Sequence, residues 1–189
     1  AFKRIVFLFI PEDTAFAAAK AGQVHVAVVP AMLAKQQVAG MTLHAVRSGD
    51  NRGLRFPTIP DTGKKTAKGY AIGNSVTADP AIRRAVTLAI DRKGLVHGVL
   101  EGFGRPAYGV CDGLPWDFTG NSFADNDPAG ASAILEKAGW RDSDGDGIRD
   151  KNGLKAEFTI VYPANRSERQ YMALAVAEPS GTFCRCSRS

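Results

Sequence analysis

Two short helices with their start and stop signals written into the sequence constrain this chain more than any other feature. They lie in residues 77–104, TADPAIRRAVTLAIDRKGLVHGVLEGFG. Asp79 is a side chain that can accept from a first-turn amide, and Pro80 suits the first helical position. Ile82, Ala85, Val86, Ala89 and Ile90 then recur at helical spacing as one apolar stripe. Asp91 can cap a second helix, with Leu95, Val96, Val99 and Leu100 facing inward and Gly102 and Gly104 ending it. A third helix starts at Asp127-Pro128, buries Ala131, Ile134, Leu135 and Ala138, and stops at Gly139. Stripes of this kind must be covered, so Ile82, Val86, Ile90, Val99, Leu100, Ile134 and Leu135 are expected in one core.

The flanking segments read as strands. Lys3 to Ile10 is apolar on both faces, as a doubly covered parallel strand is. Asp13 is placed to cap a short helix holding Phe16 to Ala19, Gly22 ends it, and Val24, Val26, Val28 and Val29 form the next strand. This is a β-α-β unit. Pro30, Met32 and Leu33 begin a short helical segment, and Met41 to Val46 is a further strand. Arg47 to Pro57 reads as a crossover and Thr58 to Asn74 as a surface loop rich in Gly, Lys, Thr and Pro. Asn152-Gly153 is a two-residue hairpin signal joining a short strand near Ile148 to a longer one, Ala156 to Val161. Ser167 is a cap for a last helix through Glu178. Pro179-Ser180-Gly181 breaks that helix, and the rest is a polar tail without periodicity. No internal repeat is present.

At 189 residues the chain can form one domain or two small ones. Its apolar run Ile5 to Ile10 is its longest and falls well short of the roughly 20 residues needed to span a bilayer. Ala1-Phe2-Lys3-Arg4 leads straight into that run with no signal peptide. The net charge of +5 is spread along the chain. Its one cluster, Lys64, Lys65 and Lys68, sits in a Gly/Thr loop without the aromatic-basic interleaving of a nucleic-acid binder. The first reading of this charge is an ordinary basic, solvated surface; attraction of anionic ligands or of an anionic membrane face is the weaker alternative. Cys111, Cys184 and Cys186 make no recognisable framework, and a bridge from Cys111 to the tail is not fixed by spacing. The Cys-x-Cys pair has no further ligands nearby for a metal. His25, His44 and His97 are scattered and read as structural residues, not a nickel site. The signatures G-x-S-x-G, H-E-x-x-H and the P-loop are absent.

Several blocks together carry a family resemblance: DPAIRRAVTLAIDRKGLV, GFGRPAY, DPAGASAILEKAGW and DSDGDGIRDKNG. From about Phe2 to Glu178 the chain resembles the extracytoplasmic solute-binding proteins of peptide and nickel ABC importers. The resemblance implies an α/β fold, part of a two-lobed periplasmic-binding-protein-like architecture with mixed sheets and flanking helices. Residues 1–48 would belong to the first lobe, 49–178 to the second, and 179–189 to an atypical tail. It implies an interior portion of a longer, non-enzymatic protein without a cofactor. That protein would be the substrate-binding component of an ABC importer for peptides or nickel and other metal chelates. Its partners would be ABC permease subunits and not nucleic acid. It would be monomeric when complete, and periplasmic or extracytoplasmic and lipid-anchored after a signal sequence.

Candidate ligand-binding residues follow from loops at strand ends and at the crossover. Tyr162 to Arg169 joins a strand end to a helix start, where ligands of α/β folds gather. A helix N-terminus adds positive potential, and an arginine there can hold a carboxylate with two parallel bonds. Tyr162, Asn165, Arg166 and Arg169 are the candidates, with solvent exposure of the arginines the competing reading. In the resembled family this loop borders the cleft. Arg169 fits that pattern better, and Asn165-Arg166 departs from the Gly-Asp often found there. Tyr108 and Trp116, with Cys111 between them, lie on a Gly/Pro-rich loop whose aromatics can line a pocket or pack the loop. Loop packing is the stronger reading for Trp116. Asp50, Asn51 and Arg52 sit at the crossover, where turn chemistry competes with a cleft role. Asp142, Asp144 and Asp146 before Gly147 have calcium-loop spacing, with Asp150 at the ninth position. The twelfth position is Gly153, where a bidentate Glu is needed, so a solvated acidic turn is favoured. A calcium-stabilised structural or adhesion module built on this loop is the alternative function.

Overall fold

The computed structural model describes residues 2–118, 120, 122–163, 166–180 and 185–188, with the backbone alone at 178–180 and 185–188. Five helices are described: α1 (Glu12–Lys20), α2 (Pro80–Ala89), α3 (Arg92–Gly98), α4 (Pro128–Lys137) and α5 (Ser167–Ser180). Four short strands accompany them: β1 (Asp150–Lys151), β2 (Leu154–Lys155), β3 (Glu157–Ile160) and β4 (Arg185–Arg188).

The core is where the capped helices place it. Asp79 Oδ1 accepts from the Ala81 amide at 2.8 Å, Asp91 Oδ1 from Gly94 at 2.7 Å and Asp127 Oδ1 from Gly130 at 2.8 Å. Each satisfies an amide that the helix itself leaves unpaired. Ile82, Ala85, Val86 and Ala89 of α2 pack with Ala131 and Leu135 of α4, and Val76, Trp140, Ala156 and Phe158 complete the cluster. Beyond the end of α2, the chain entering α4 supplies partners: the Asn126 and Asp127 amides donate to Ile90 and Leu88 carbonyls at 3.0 and 2.9 Å. At the end of α4, Gly139 takes a positive φ of 87°, its amide donates to Glu136, and the Trp140 amide donates to Leu135. This reversal turns Trp140 into the core, where it is 1% exposed. Of the residues expected inside, Ile82, Val86, Val99 and Leu135 are buried, while Ile90, Leu100 and Ile134 are half-buried. Val99, Leu100 and Ile134 lie outside the α2–α4 cluster, so the single core expected for all seven is only partly formed; Ile90 and Leu100 stand just past the ends of α2 and α3, where coverage runs out.

Asn152 and Gly153 both take positive φ, 53° and 77°, and connect β1 antiparallel to β2 with Asp150 opposite Lys155. The paired strand is Asp150–Lys151, slightly later than the expected position near Ile148. The tail differs from expectation. The helix runs from Ser167 through Pro179 to Ser180, and Arg185–Arg188 pairs parallel with β3. A β-α-β crossover therefore lies here.

The expected N-terminal β-α-β unit is not formed among the described residues. The helix and the 3-10 turn at Ala31–Leu33 are present, but Lys3–Ile10, Val24–Val29 and Met41–Val46 are unpaired. The helix is preceded by Pro11 and has no side-chain cap, with Asp13 inside its first turn. Side chains from Ile5 to Phe9 are 60–97% exposed. A strand needs a neighbouring ladder to satisfy its amides and carbonyls, and no described segment offers one to these three.

Residues 58–74 are at the surface, as expected, but laddered. The Thr62 amide donates to the Ile72 carbonyl at 3.1 Å, Ile72 donates to Lys64 at 2.9 Å, and Thr66 donates to Tyr70 at 2.8 Å. The preceding crossover joins the core: Leu54 and Phe56 pack against it, with the Phe56 and Phe158 rings 6.0 Å apart and edge to face.

Candidate functional site

The crossover brings together candidates that are far apart in sequence. The Arg52 guanidinium forms ion pairs with Asp50 and with Glu168, its Nε donating to Glu168 Oε1 at 3.2 Å. Glu168 stands in the first turn of α5, where a carboxylate also meets the positive end of the helix. From the other loop, Gly109 supplies the carbonyl that accepts from Asn51 Nδ2 at 2.6 Å. Leu114 lies so near Gly49 that a Cβ there would be 2.8 Å from its Cδ2. The segment 49–52 is thus touched by both the 109–114 loop and the start of α5.

The electrostatics follow from these pairs. The hydrogen bond from Arg52 holds the Asp50 carboxyl below its ordinary range, with further help from the charges of Arg52 and Arg169. For Arg52, burial opposes the charged form, but Asp50 and Glu168 outweigh it and the guanidinium is held charged. Arg166 is ion-paired with Glu12 at the start of α1. Arg169 is half-buried and has no ion pair among the described residues, although its charge reaches Asp50. Among the described residues, Arg52 and Arg166 are each paired with a carboxylate and Arg169 is not. Tyr162 is half-buried at the exit of β3. Asn165 lies outside the described residues.

In the aromatic loop, Tyr108 follows the packing reading and Trp116 does not. Tyr108 packs edge to face on Phe123 at 5.2 Å, and the Arg92 guanidinium lies 4.7 Å from the Phe123 ring and 5.8 Å from that of Tyr108. Arg92 is also paired with Asp125 at 2.8 Å. Tyr108 is therefore engaged in fastening the loop to the start of α3. Trp116, expected to pack the loop, is 71% exposed. Cys111 is a half-buried free thiol.

His25, His44 and His97 are all exposed, not enclosed as structural histidines would be. The strands expected around His25 and His44 are unpaired, so no apolar face encloses them. Among the described residues, Asp142, Asp144 and Asp146 form the one group with metal-ligand spacing, within 4.8 Å of one another. Their oxygens are already engaged. Asp142 accepts from the Gly145 and Gly147 amides at 2.8 and 3.0 Å. Lys155 Nζ bonds to both Asp144, at 3.0 Å, and Asp146. An ammonium supplied by β2 takes the place a cation would need, and its own pKa is raised chiefly by the bond to Asp146. Calcium at about 1 mM is expected to move the melting temperature by less than about 1 °C. A rise of several degrees in a thermal scan would mark a genuine calcium site.

Comparison with known proteins supplies the relatives of this arrangement. A family model described as bacterial extracellular solute-binding proteins, family 5 Middle, matches residues 1–179. Protein XP55 of Streptomyces lividans is 39% identical over 163 residues, 84% of this chain and 27% of that protein. The oligopeptide-binding protein AppA of Bacillus subtilis is 30% identical over 162 residues, 74% of this chain and 29% of that protein. The structure of AppA with a nonapeptide superposes with a TM-score of 0.54, over 61% of this chain and 24% of that one, at 30% identity. NikA of Brucella suis, solved with Fe(III)-EDTA, superposes with a TM-score of 0.55 at 25% identity, over 59% of this chain and 23% of that one. The chain therefore spans between a quarter and a third of the length of the curated relatives named here.

Proposed function

Because the chain belongs to the bacterial extracellular solute-binding proteins of family 5, a family of binding proteins, we propose that it serves in the substrate-binding component of an ABC importer for peptides or metal chelates. The observation that carries this reading to particular residues is the meeting of segment 49–52 with the 109–114 loop and the first turn of α5. In this reading residues 1–48 belong to one lobe and 49–178 to the other, and ligand binding closes the lobes by a hinge motion at the crossover. The whole protein is extracytoplasmic, lipid-anchored and monomeric, and it delivers its ligand to ABC permease subunits.

Arg169 is the proposed ligand anchor, and Arg52 is a positioning residue that holds the crossover to α5 through Asp50 and Glu168. Tyr162 and Arg166, the latter paired with Glu12, lie on the same loop, and Asn165, outside the described residues, is proposed with them from its place in the sequence. Trp116 is exposed and offers a ring for stacking, while Tyr108 supports the loop from behind. Removing one charge-assisted pair weakens binding by about 1.5–3 kcal/mol, roughly one to two decades in dissociation constant. The test is calorimetric titration of the chain, extended to the length of its relatives, with a nonapeptide and with Fe(III)-EDTA. Arg169→Ala should lower affinity for the ligand that binds while leaving the melting temperature unchanged. Unaltered affinity in both Arg169→Ala and Arg166→Ala would remove this loop from the site.

A further inference from the structure

The hairpin of residues 61–72 is ordered without being packed. Every residue from 57 to 71 is exposed, so its order does not come from apolar burial. It comes from the ladder already described and from side-chain bonds. Asp61 Oδ1 accepts from Gly63 at 2.9 Å, and Thr66 Oγ1 accepts from Tyr70 at 3.1 Å. The base is pinned. The Asn74 amide donates to Ile59 at 3.0 Å, and Asp61 donates to Ser75 Oγ at 3.1 Å. Asn74 Oδ1 in turn accepts from the amides of buried Val76 and Thr77. Gly73 has φ 91°, and a Cβ there would lie 2.0 Å from the Pro60 carbonyl oxygen. Fixing a segment in this way costs conformational entropy that no burial returns.

This rigid arm displays charge. Lys64, Lys65 and Lys68 project from it with one acid, Asp61, in the whole of 58–78, so the arm carries three positive charges against one negative, +2 of the chain's +5. None of the three ammonium groups has an ion pair among the described residues. Lys35, Lys151 and Lys155 are each paired with a carboxylate; Lys3, Lys20, Lys93 and Lys137 share the unpaired state among the described residues, so what sets the arm apart is the clustering of three such lysines within five residues. Tyr70 stands beside them, 69% exposed.

We propose that this hairpin is a membrane-contacting arm that lays Lys64, Lys65, Lys68 and Tyr70 against anionic phospholipid headgroups. The side-chain chemistry favours a lipid surface over an acidic protein. Protein interfaces enrich arginine and deplete lysine, whereas a diffuse anionic surface is met by mobile lysine point charges. Tyrosine, apolar in its ring and polar at its tip, suits the headgroup layer. Each juxtamembrane lysine contributes comparably, so neutralising three should weaken partitioning roughly 100-fold. This inference rests on the hairpin alone and stands or falls apart from the transport reading.

The test is co-sedimentation of the chain with phosphatidylglycerol/phosphatidylcholine vesicles and with pure phosphatidylcholine vesicles at low salt. Binding is expected on the mixed vesicles only and should fall steeply as salt rises. The triple variant Lys64→Gln/Lys65→Gln/Lys68→Gln should lose it with an unchanged melting temperature. A second triple variant, Lys20→Gln/Lys93→Gln/Lys137→Gln, removes equal charge from other exposed positions and should retain most of it. Equal loss in the two variants would assign binding to net charge and overturn the proposal. So would equal binding to both vesicle types, or none at low salt. Release by millimolar glycerol phosphate at constant ionic strength would also overturn it, marking a site for soluble phosphate instead of a bilayer face.

Discussion

Val86→Asp should remove about 3–5 kcal/mol of stability, the range for an uncompensated buried charge. Val86 is 5% exposed on the face of α2 that packs against α4. Its neighbours in that cluster are apolar, so an aspartate there has no donor to satisfy it. Small domains hold roughly 5–15 kcal/mol in all, so a large share of the stability of this core would go. The urea midpoint is the measurement. Arg84→Asp on the same helix is the control, because Arg84 is exposed and surface changes cost within about 0.5 kcal/mol. Equal loss in both variants would mean that helix propensity, not burial, sets the effect, and would contradict the core described here.

Asp79→Ala is the second large effect. One carboxylate serves three elements: Oδ1 caps α2, while Oδ2 accepts from Trp140 Nε1 and Lys151 Nζ, both at 2.9 Å. Losing the cap costs about 1 kcal/mol. Leaving the indole N–H of a buried tryptophan without an acceptor costs about 1–3 kcal/mol more. Lys151 is a third exposed and recovers water, so its share is small. The total is about 2–4 kcal/mol. Burial pushes the Asp79 carboxyl up, but bonds from Lys151, the Ala81 amide and Trp140, with the Lys151 charge, bring it below its ordinary value. A depressed carboxyl stabilises the fold above its unfolded pKa, near 4, and that contribution fades as pH falls through the folded value. The gap in melting temperature between wild type and Asp79→Ala should therefore be full at pH 7 and narrower near pH 3. A gap of the same size at both would show that the ionised carboxylate is not the group responsible.

The caps of α2, α3 and α4 were legible because the information is local. An Asp two or three residues before the amide that donates to it, with Pro after it at two of the three sites, states where a helix begins. The Asn152-Gly153 turn is legible for the same reason. The reach of Asp79 to Trp140 and Lys151, 61 and 72 residues away, leaves no trace in spacing. The strands of the first 46 residues were read from apolar runs, and such a run states a need for partners without supplying them. Around the crossover, the sequence marks Arg52 and Arg169 as charged loop residues. That Glu168 pairs with Arg52, and that Phe123 and Arg92 pack on Tyr108, depends on contacts between segments separated in sequence. The pairing of Lys155 with the Asp144 and Asp146 carboxylates is likewise created by the hairpin that folds β2 back beside them.

The unpaired apolar segment Phe2 to Ile10 also has a consequence for the order of events during synthesis. It leaves the ribosome before the helices at 80–98, so this self-associating stretch is free before the core that follows it has formed. The core built from α2, α4, Trp140 and β3 closes over residues 76–158 and does not wait for it. Until a ladder reaches it, FKRIVFLFI has the composition from which edge-to-edge aggregates grow. Lys3 and Arg4 on one side and Pro11, Glu12 and Asp13 on the other flank the run, where charges and proline act as gatekeepers. Lys3, Arg4 and Asp13, which make no ion pair among the described residues, are thus read best as protection for an interval in which the molecule is not yet folded.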